Sequence, residues 1–327
     1  MKPSRLTDVL TKMLSQRWPV FIWGAPGIGK SSIVKQVGID KKLPVIDLRA
    51  SLLDPTDLRG IPSIENGTSR WCPPSFLPKA TDKPGILFLD EINAAPPLVQ
   101  ASLYQLVLDR RIGEYVLPEG WTLIAAGNRQ QDKAVTFRLS SALGNRFIHI
   151  DLDTDLKDWR NWAMNNRIHP LVLAFLGVKP NLLQKPPGDE AAYPTPRSWH
   201  MLSGLLDTFG GIEGCKDLIR GTIGEGTGIE FVEFCKRSLS EASLRTIVND
   251  PSNATLPTAL DELYVLTTWL AFHAADIEIL DAAAILLNRL PPEFSVVLAT
   301  DILKVSPAFA RREGYRTFLQ KHGQLFH

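Results

Sequence analysis

Cysteine is scarce in this chain of 327 residues: Cys72, Cys215 and Cys235 are odd in number and show no C-x-x-C spacing. Neither a disulfide framework nor a zinc site follows from that pattern, and a reducing, cytoplasmic location is expected. Net charge is nearly absent. Lysine and arginine total 36 against 35 aspartates and glutamates, a formal charge of +1. Such a balance removes a polybasic nucleic-acid coat or an acidic tail, while leaving room for a local basic patch. Long apolar runs are also missing. The most apolar stretch, Leu263 to Leu287, contains His273, Asp276, Glu278 and Asp281, whereas a membrane-spanning helix needs about 20 mostly apolar residues. Met1 to Trp18 carry Lys2, Arg5, Asp8, Lys12 and Arg17 without an apolar centre, so no secretory leader and no membrane association are expected. The six histidines are scattered without ligand spacing, which argues against a histidine metal site.

What is present is ordinary globular material, 44% hydrophobic and 22% charged. At roughly 150 residues per domain the length allows about two domains. Up to Ile150, short apolar runs alternate with helical stretches. Val20–Trp23, Pro44–Leu48, Gly85–Asp90, Trp121–Ala126 and Phe147–Ile150 read as strands. They are unbroken apolar runs rather than apolar–polar alternations, which suits strands covered on both faces. An α/β domain with a parallel sheet flanked by helices is expected. From Leu156 the β character fades. Leu156–Leu176, Arg197–Leu206, Ile229–Leu239, Pro257–His273 and Ile277–Leu290 read as helices, with a proline- and glycine-rich loop over Gln184–Pro196.

The sharpest motif is Gly24-Ala25-Pro26-Gly27-Ile28-Gly29-Lys30-Ser31, followed by Ser32. It fits G-x-x-x-x-G-K-[ST] and lies between a strand and a helix. Glycines let the backbone wrap phosphates with its N–H groups inward, and the helix N-terminus adds a positive dipole end. Lys30 reaches the β- and γ-phosphates, and the Ser31 hydroxyl can ligate Mg²⁺. ATP and Mg²⁺ are therefore the expected ligands. Ile86-Leu87-Phe88-Leu89 then runs into Asp90-Glu91. The two carboxylates fall at the C-terminal edge of a strand, where ligands of open α/β sheets bind. Asp90 suits Mg²⁺, directly or through water, and Glu91 suits the attacking water.

Three more residues are readable in two ways. Asn128 ends the Leu123–Ala126 strand through Gly127; it can position a water, or simply make a turn. Arg146 falls between a helix and a strand; it can project into a neighbouring subunit, or cap a helix in solvent. Arg197 follows Thr195-Pro196 at a helix start; it can reach back to the nucleotide, or lie on the surface. Asp47 and Arg49 close the second strand and read as a surface pair. Trp71, beside Arg70, reads either as core or as a contact on a protruding loop.

The order of these pieces resembles the AAA+ ATPases, and within them the MoxR-type group near the dynein-related AAA branch. Asp57-Leu58-Arg59-Gly60-Ile61-Pro62, Asp90-Glu91-Ile92-Asn93-Ala94-Ala95-Pro96-Pro97 and Leu143-Gly144-Asn145-Arg146-Phe147 carry the narrower likeness. The resemblance covers about residues 5 to 210. It implies a P-loop core at 1–155 and a helical lid carrying sensor 2 at 156–240; the helical C-terminal extension expected at 241–327 departs from the family's pattern. It makes Lys30 and Ser31 Walker A residues, Asp90 and Glu91 Walker B residues, Asn128 sensor 1, Arg146 a trans-acting arginine finger and Arg197 sensor 2. Leu52–Leu77 and Arg111–Gly120 occupy the places of the family's helix-2 insert and of its hairpin before sensor 1. The family further implies a homo-oligomeric, hexameric ring, ATP hydrolysis coupled to chaperone-like remodelling of client proteins, and a partner bearing a von Willebrand factor A domain. A DNA-acting motor is the competing class; the charge balance and the lack of a DNA-binding motif do not favour nucleic acid.

Overall fold

Ile86-Leu87-Phe88-Leu89 and Leu123-Ile124-Ala125-Ala126 are apolar on both sides of the pleat, so each needs cover on two faces. The computed structural model, which describes residues 1–132 and 137–326, meets that need in a five-stranded parallel sheet. In chain order the strands are β1 (Val20–Trp23), β2 (Val45–Arg49), β3 (Ile61–Glu65), β4 (Thr68–Cys72), β5 (Gly85–Asp90), β6 (Arg111–Ile112), β7 (Tyr115–Val116), β8 (Trp121–Gly127) and β9 (Ile148–Asp151). The large sheet runs β2-β5-β8-β1-β9. Every residue of β5 and β8 is buried.

Alternation divides the strands between two apolar layers. Val20, Ile22, Ile86, Phe88, Ile124 and Ala126 pack with Leu6 and Leu10 of α1 (Pro3–Met13) and with Val34 and Val37 of α2 (Lys30–Lys41). Phe21, Leu87, Leu89, Leu123 and Ala125 face the other way. There they meet Leu58 of α3 (Pro55–Arg59), Val99, Leu103 and Leu106 of α4 (Pro97–Asp109), and Leu143 of α5 (Ser141–Gly144). Each fully buried Val, Leu, Ile or Phe among them contributes roughly 1.5–3 kcal/mol, so the sheet's position is set from both sides. Because the sheet is parallel, the loops leaving β1, β5 and β8 gather at one edge.

Two antiparallel hairpins interrupt this pattern. The β3–β4 hairpin turns at Asn66-Gly67, both with positive φ, a two-residue turn that matches the twist of its strands. Trp71 sits half-buried on β4, outside the apolar clusters of the sheet. The β6–β7 hairpin is joined to the segment after β4 through the Tyr115 hydroxyl, which donates to the Pro78 carbonyl at 2.8 Å. Burial there pushes the Tyr115 phenol pKa up.

The chain divides into two compact units at Asp155/Leu156. All regular elements described in the second unit are helical. The expected helix over Leu156–Leu176 is two, α6 (Leu156–Asn165) and α7 (Pro170–Val178). Pro170 is the reason: it lacks an N–H and fits only the first helical turn, with His169 capping it. There follow α8 (Pro196–Thr208), α9 (Ile212–Ile223), α10 (Glu225–Arg237), α11 (Glu241–Asn249), α12 (Leu260–Phe272), α13 (Ile277–Leu286), α14 (Pro292–Val305) and α15 (Glu313–His322). One apolar cluster runs through them from Trp159 to Phe318. Among the described residues, no helix is long and apolar enough to cross a membrane.

Candidate nucleotide site

The loop between β1 and α2 bends where glycine alone is comfortable. Gly27 has φ +77° and Gly29 φ +103°, values that L side chains rarely adopt. Gly24 opens the loop, its N–H donating to the Gly127 carbonyl of β8 at 3.3 Å. Ala25 and Ile28 are buried, Pro26 is half-buried, and Ser32 is exposed on α2. Lys30, the first residue of α2, is buried. Its ammonium donates to the carbonyls of Gly24 (2.6 Å) and Ala25 (3.2 Å) and to Asn128 Oδ1 (2.8 Å). The cradle is thus closed on its own lysine.

Across the same edge, Ser31 Oγ donates to Asp90 Oδ2 at 2.7 Å. A hydroxyl next to a carboxylate is a hard-oxygen pair, the donor type that Mg²⁺ uses when phosphates and water complete its octahedron. No cluster of three or more histidine, cysteine, aspartate or glutamate side chains is placed to hold a metal among the described residues. The Ser31–Asp90 pair fits an ion whose remaining ligands are phosphate and water oxygens. Glu91 stands in the left-handed region, φ +55°, where a non-glycine residue is uncommon. Its N–H donates to Asp90 Oδ1 at 2.9 Å, and its carboxylate accepts the Ser51 hydroxyl at 2.6 Å. Ser51 is not among the residues the sequence singles out. It lies 40 positions from Glu91, and nothing local marks it.

Asn93 is the second addition. Its amide donates to the Asn128 carbonyl (2.7 Å) and its Oδ1 accepts the Asn128 N–H (3.2 Å), which fixes the end of β8. A Cβ on Gly127 would come within 2.3 Å of that Oδ1, so a larger residue there must displace the Asn93 amide. Asn93 falls in the string after Asp90-Glu91, so its nearness to the site is a signal present in the sequence. Arg129 follows Asn128 and reaches Asp151 (3.0 Å) and Asp153 (3.2 Å). Burial lowers the Arg129 pKa, but the two carboxylates outweigh it and raise the value overall.

Lys30, Ser31, Asp90, Glu91 and Asn128 thus meet at one edge of the sheet. Arg146 is exposed in the same unit, two residues beyond the end of α5. Arg197 is exposed in the first turn of α8, in the second unit. Asp47 pairs with Lys35 at 2.9 Å, not with Arg49.

Residues 19–147 match the AAA domain of the dynein-related subfamily. BssE of Thauera aromatica, a candidate chaperone, is 32% identical over 152 residues, covering 43% of this chain and 52% of BssE. Protein MoxR of Methylorubrum extorquens is 27% identical over 175 residues, half of each chain. The chain spans about half the length of these curated relatives. Among solved structures, a point mutant of Thermotoga maritima RuvB aligns over 82% of this chain and 81% of its own, at 17% identity and a TM-score of 0.42.

Proposed function

We propose that this chain, a MoxR-type member of the AAA+ ATPases by virtue of its dynein-related AAA domain, binds ATP with Mg²⁺ around Lys30 and hydrolyses it in an oligomeric ring. The observation that carries the reading is the convergence of Lys30, Ser31, Asp90, Glu91 and Asn128 at one sheet edge. Phosphoryl transfer needs placement and charge neutralisation more than covalent help. Backbone N–H groups and Lys30 receive the phosphates, and Lys30 gives up its carbonyl partners to do so. Ser31 and Asp90 would hold Mg²⁺, whose positive charge offsets that of the phosphates. Glu91, once clear of Ser51, takes the proton of the attacking water, and Asn128 orients that water through its amide.

Arg146 serves the site of an adjoining copy, and an arginine in that role contributes about 10³–10⁵-fold in rate. Arg197 reports the γ-phosphate to the helical unit. Hexameric assembly, a von Willebrand factor A partner and a client that is remodelled belong to this reading through the MoxR likeness and the chaperone name of BssE.

The test is phosphate release by the purified chain with Mg-ATP at increasing chain concentration. Specific activity rises with concentration, Lys30→Ala abolishes nucleotide uptake, Glu91→Gln binds without turnover, and Arg146→Ala binds with turnover reduced by about 10³-fold or more. Failure to take up adenine nucleotide, or full activity from a monomer, overturns the reading.

A further inference from the structure

β1 and β9 are neighbours in the sheet, with Phe21 opposite His149 and Trp23 opposite Asp151. The Trp23 indole N–H donates to His149 Nδ1 at 2.9 Å. An indole nitrogen can only donate, so Nδ1 is the acceptor and the imidazole proton sits on Nε2. Nε2 in turn donates to the Gly144 carbonyl at 2.8 Å. The two rings stack, 6.0 Å between centroids and 21° between planes. The Phe21 ring centroid lies 4.2 Å from that of Trp23 and 5.4 Å from that of Phe147, which steadies both strands' ring faces.

What the imidazole connects is specific. Trp23 immediately precedes Gly24, the first residue of the phosphate cradle. Gly144 ends α5, and its carbonyl also accepts the Phe147 N–H at 3.2 Å. The turn that bears Asn145 and Arg146 is therefore closed at its base by two donors, one of them His149. Since His149 is exposed, water competes for both of its bonds and they add little to stability. Their consequence is orientation.

We propose that His149 is a positioning residue: through Trp23 and Gly144 it holds the Arg146 turn in register with the phosphate cradle of its own chain, so that the state of that cradle sets how Arg146 is presented to the adjoining copy. The inference rests on the trans-acting role of Arg146, and its test separates the two. Glu91→Gln chains have a dead site but an intact Arg146; Arg146→Ala chains have an intact site. Turnover in their mixture reports the arginine donated between copies.

Adding His149→Phe to the Glu91→Gln donor keeps a stacked ring but removes both hydrogen bonds, and lowers the restored turnover by about tenfold or more, the effect of roughly one hydrogen bond's worth of misplacement. Trp23→Phe in the donor leaves the imidazole in place and lowers it likewise, and His149→Gln, which keeps a donor and an acceptor, recovers most of it. The same His149→Phe change in the Arg146→Ala receiver leaves turnover unchanged, and every variant still binds a fluorescent ADP analogue. Donors that rescue equally with or without His149, or a receiver harmed as much as the donor, overturn the positioning role. If Glu91→Gln chains never rescue Arg146→Ala chains, the trans-acting role falls first and this inference with it.

Discussion

The amide oxygen of Asn128 accepts the Lys30 ammonium at 2.8 Å, joining residues 98 positions apart across the sheet edge. The cation that a triphosphate needs is held by the side chain expected to place the water. In the proposed ATP-bound state the phosphates compete for Lys30 with this bond as well as with the carbonyls of Gly24 and Ala25.

Asn128→Ala separates those roles. Loss of the water-placing amide lowers kcat by about 10²-fold, the effect of removing one preorganised polar group from a reacting centre. Affinity for ATP does not weaken, because Lys30 is released from a competitor. Binding of a fluorescent ATP analogue and steady-state phosphate release together check this. A parallel loss in both assigns Asn128 to building the cradle instead.

Ser51→Ala frees Glu91. The Ser51–Glu91 bond at 2.6 Å is made to a charged acceptor, and such bonds contribute about 1.5–3 kcal/mol. Releasing the carboxylate raises basal turnover by several-fold, up to about tenfold, with ATP affinity unchanged. Lower turnover in Ser51→Ala contradicts a restraining role and makes Ser51 a support for the productive carboxylate.

Arg160 and Asp301 form an ion pair at 2.7 Å inside the helical unit, their side chains 13% and 4% exposed. Arg160 also donates to Thr268 Oγ1 (3.1 Å) and the Leu173 carbonyl (3.3 Å). Asp301→Ala leaves a buried guanidinium without its carboxylate and destabilises by about 3–5 kcal/mol. The double change Arg160→Met with Asp301→Leu is milder, because no buried guanidinium is left unpaired and Lys304, which also reaches Asp301 at 3.4 Å, is partly exposed to water. Urea denaturation followed by circular dichroism measures both.

His169 caps α7 with Nδ1 accepting the Leu171 N–H at 3.3 Å, a bond that needs the neutral ring. Burial is the largest influence and lowers its pKa below the ordinary value of 6.5, against a smaller opposing pull from Asp207. Below pH 6.5 the unfolded chain therefore binds a proton that the folded chain refuses, so stability falls with pH and stops falling once the folded imidazole is protonated. Melting temperatures between about pH 7.5 and 5 should show this decline for the helical unit, and His169→Asn, which retains a good cap, should flatten it. An unchanged slope in His169→Asn assigns the decline to other groups.

Some of what the structure adds is written locally in the sequence. Asn66-Gly67 is a strong two-residue hairpin signal, and Pro170 marks the start of a helix, yet the surrounding runs invite a loop and a single long helix. Trp71 is open between core and surface in the sequence, because half-burial on a two-stranded ribbon leaves no periodic trace. Ser51 and His149 are different. Each is hydrogen-bonded to a partner far along the chain, 40 positions for Ser51–Glu91 and 126 for Trp23–His149.

By itself the sequence determined the glycine-rich loop between β1 and α2 and the two-sided burial of the central strands. Both are local demands: positive φ at Gly27 and Gly29, a lysine and a hydroxyl at a helix start, and apolar runs with no polar face. Tertiary structure alone decided which partner each polar group found. Lys30 meets Asn128, Glu91 meets Ser51 and the imidazole of His149 bridges Trp23 to Gly144 because strands distant in the chain lie side by side in parallel register. A hydrogen bond is chosen by distance and angle, and those exist only once β1, β5, β8 and β9 are laid together.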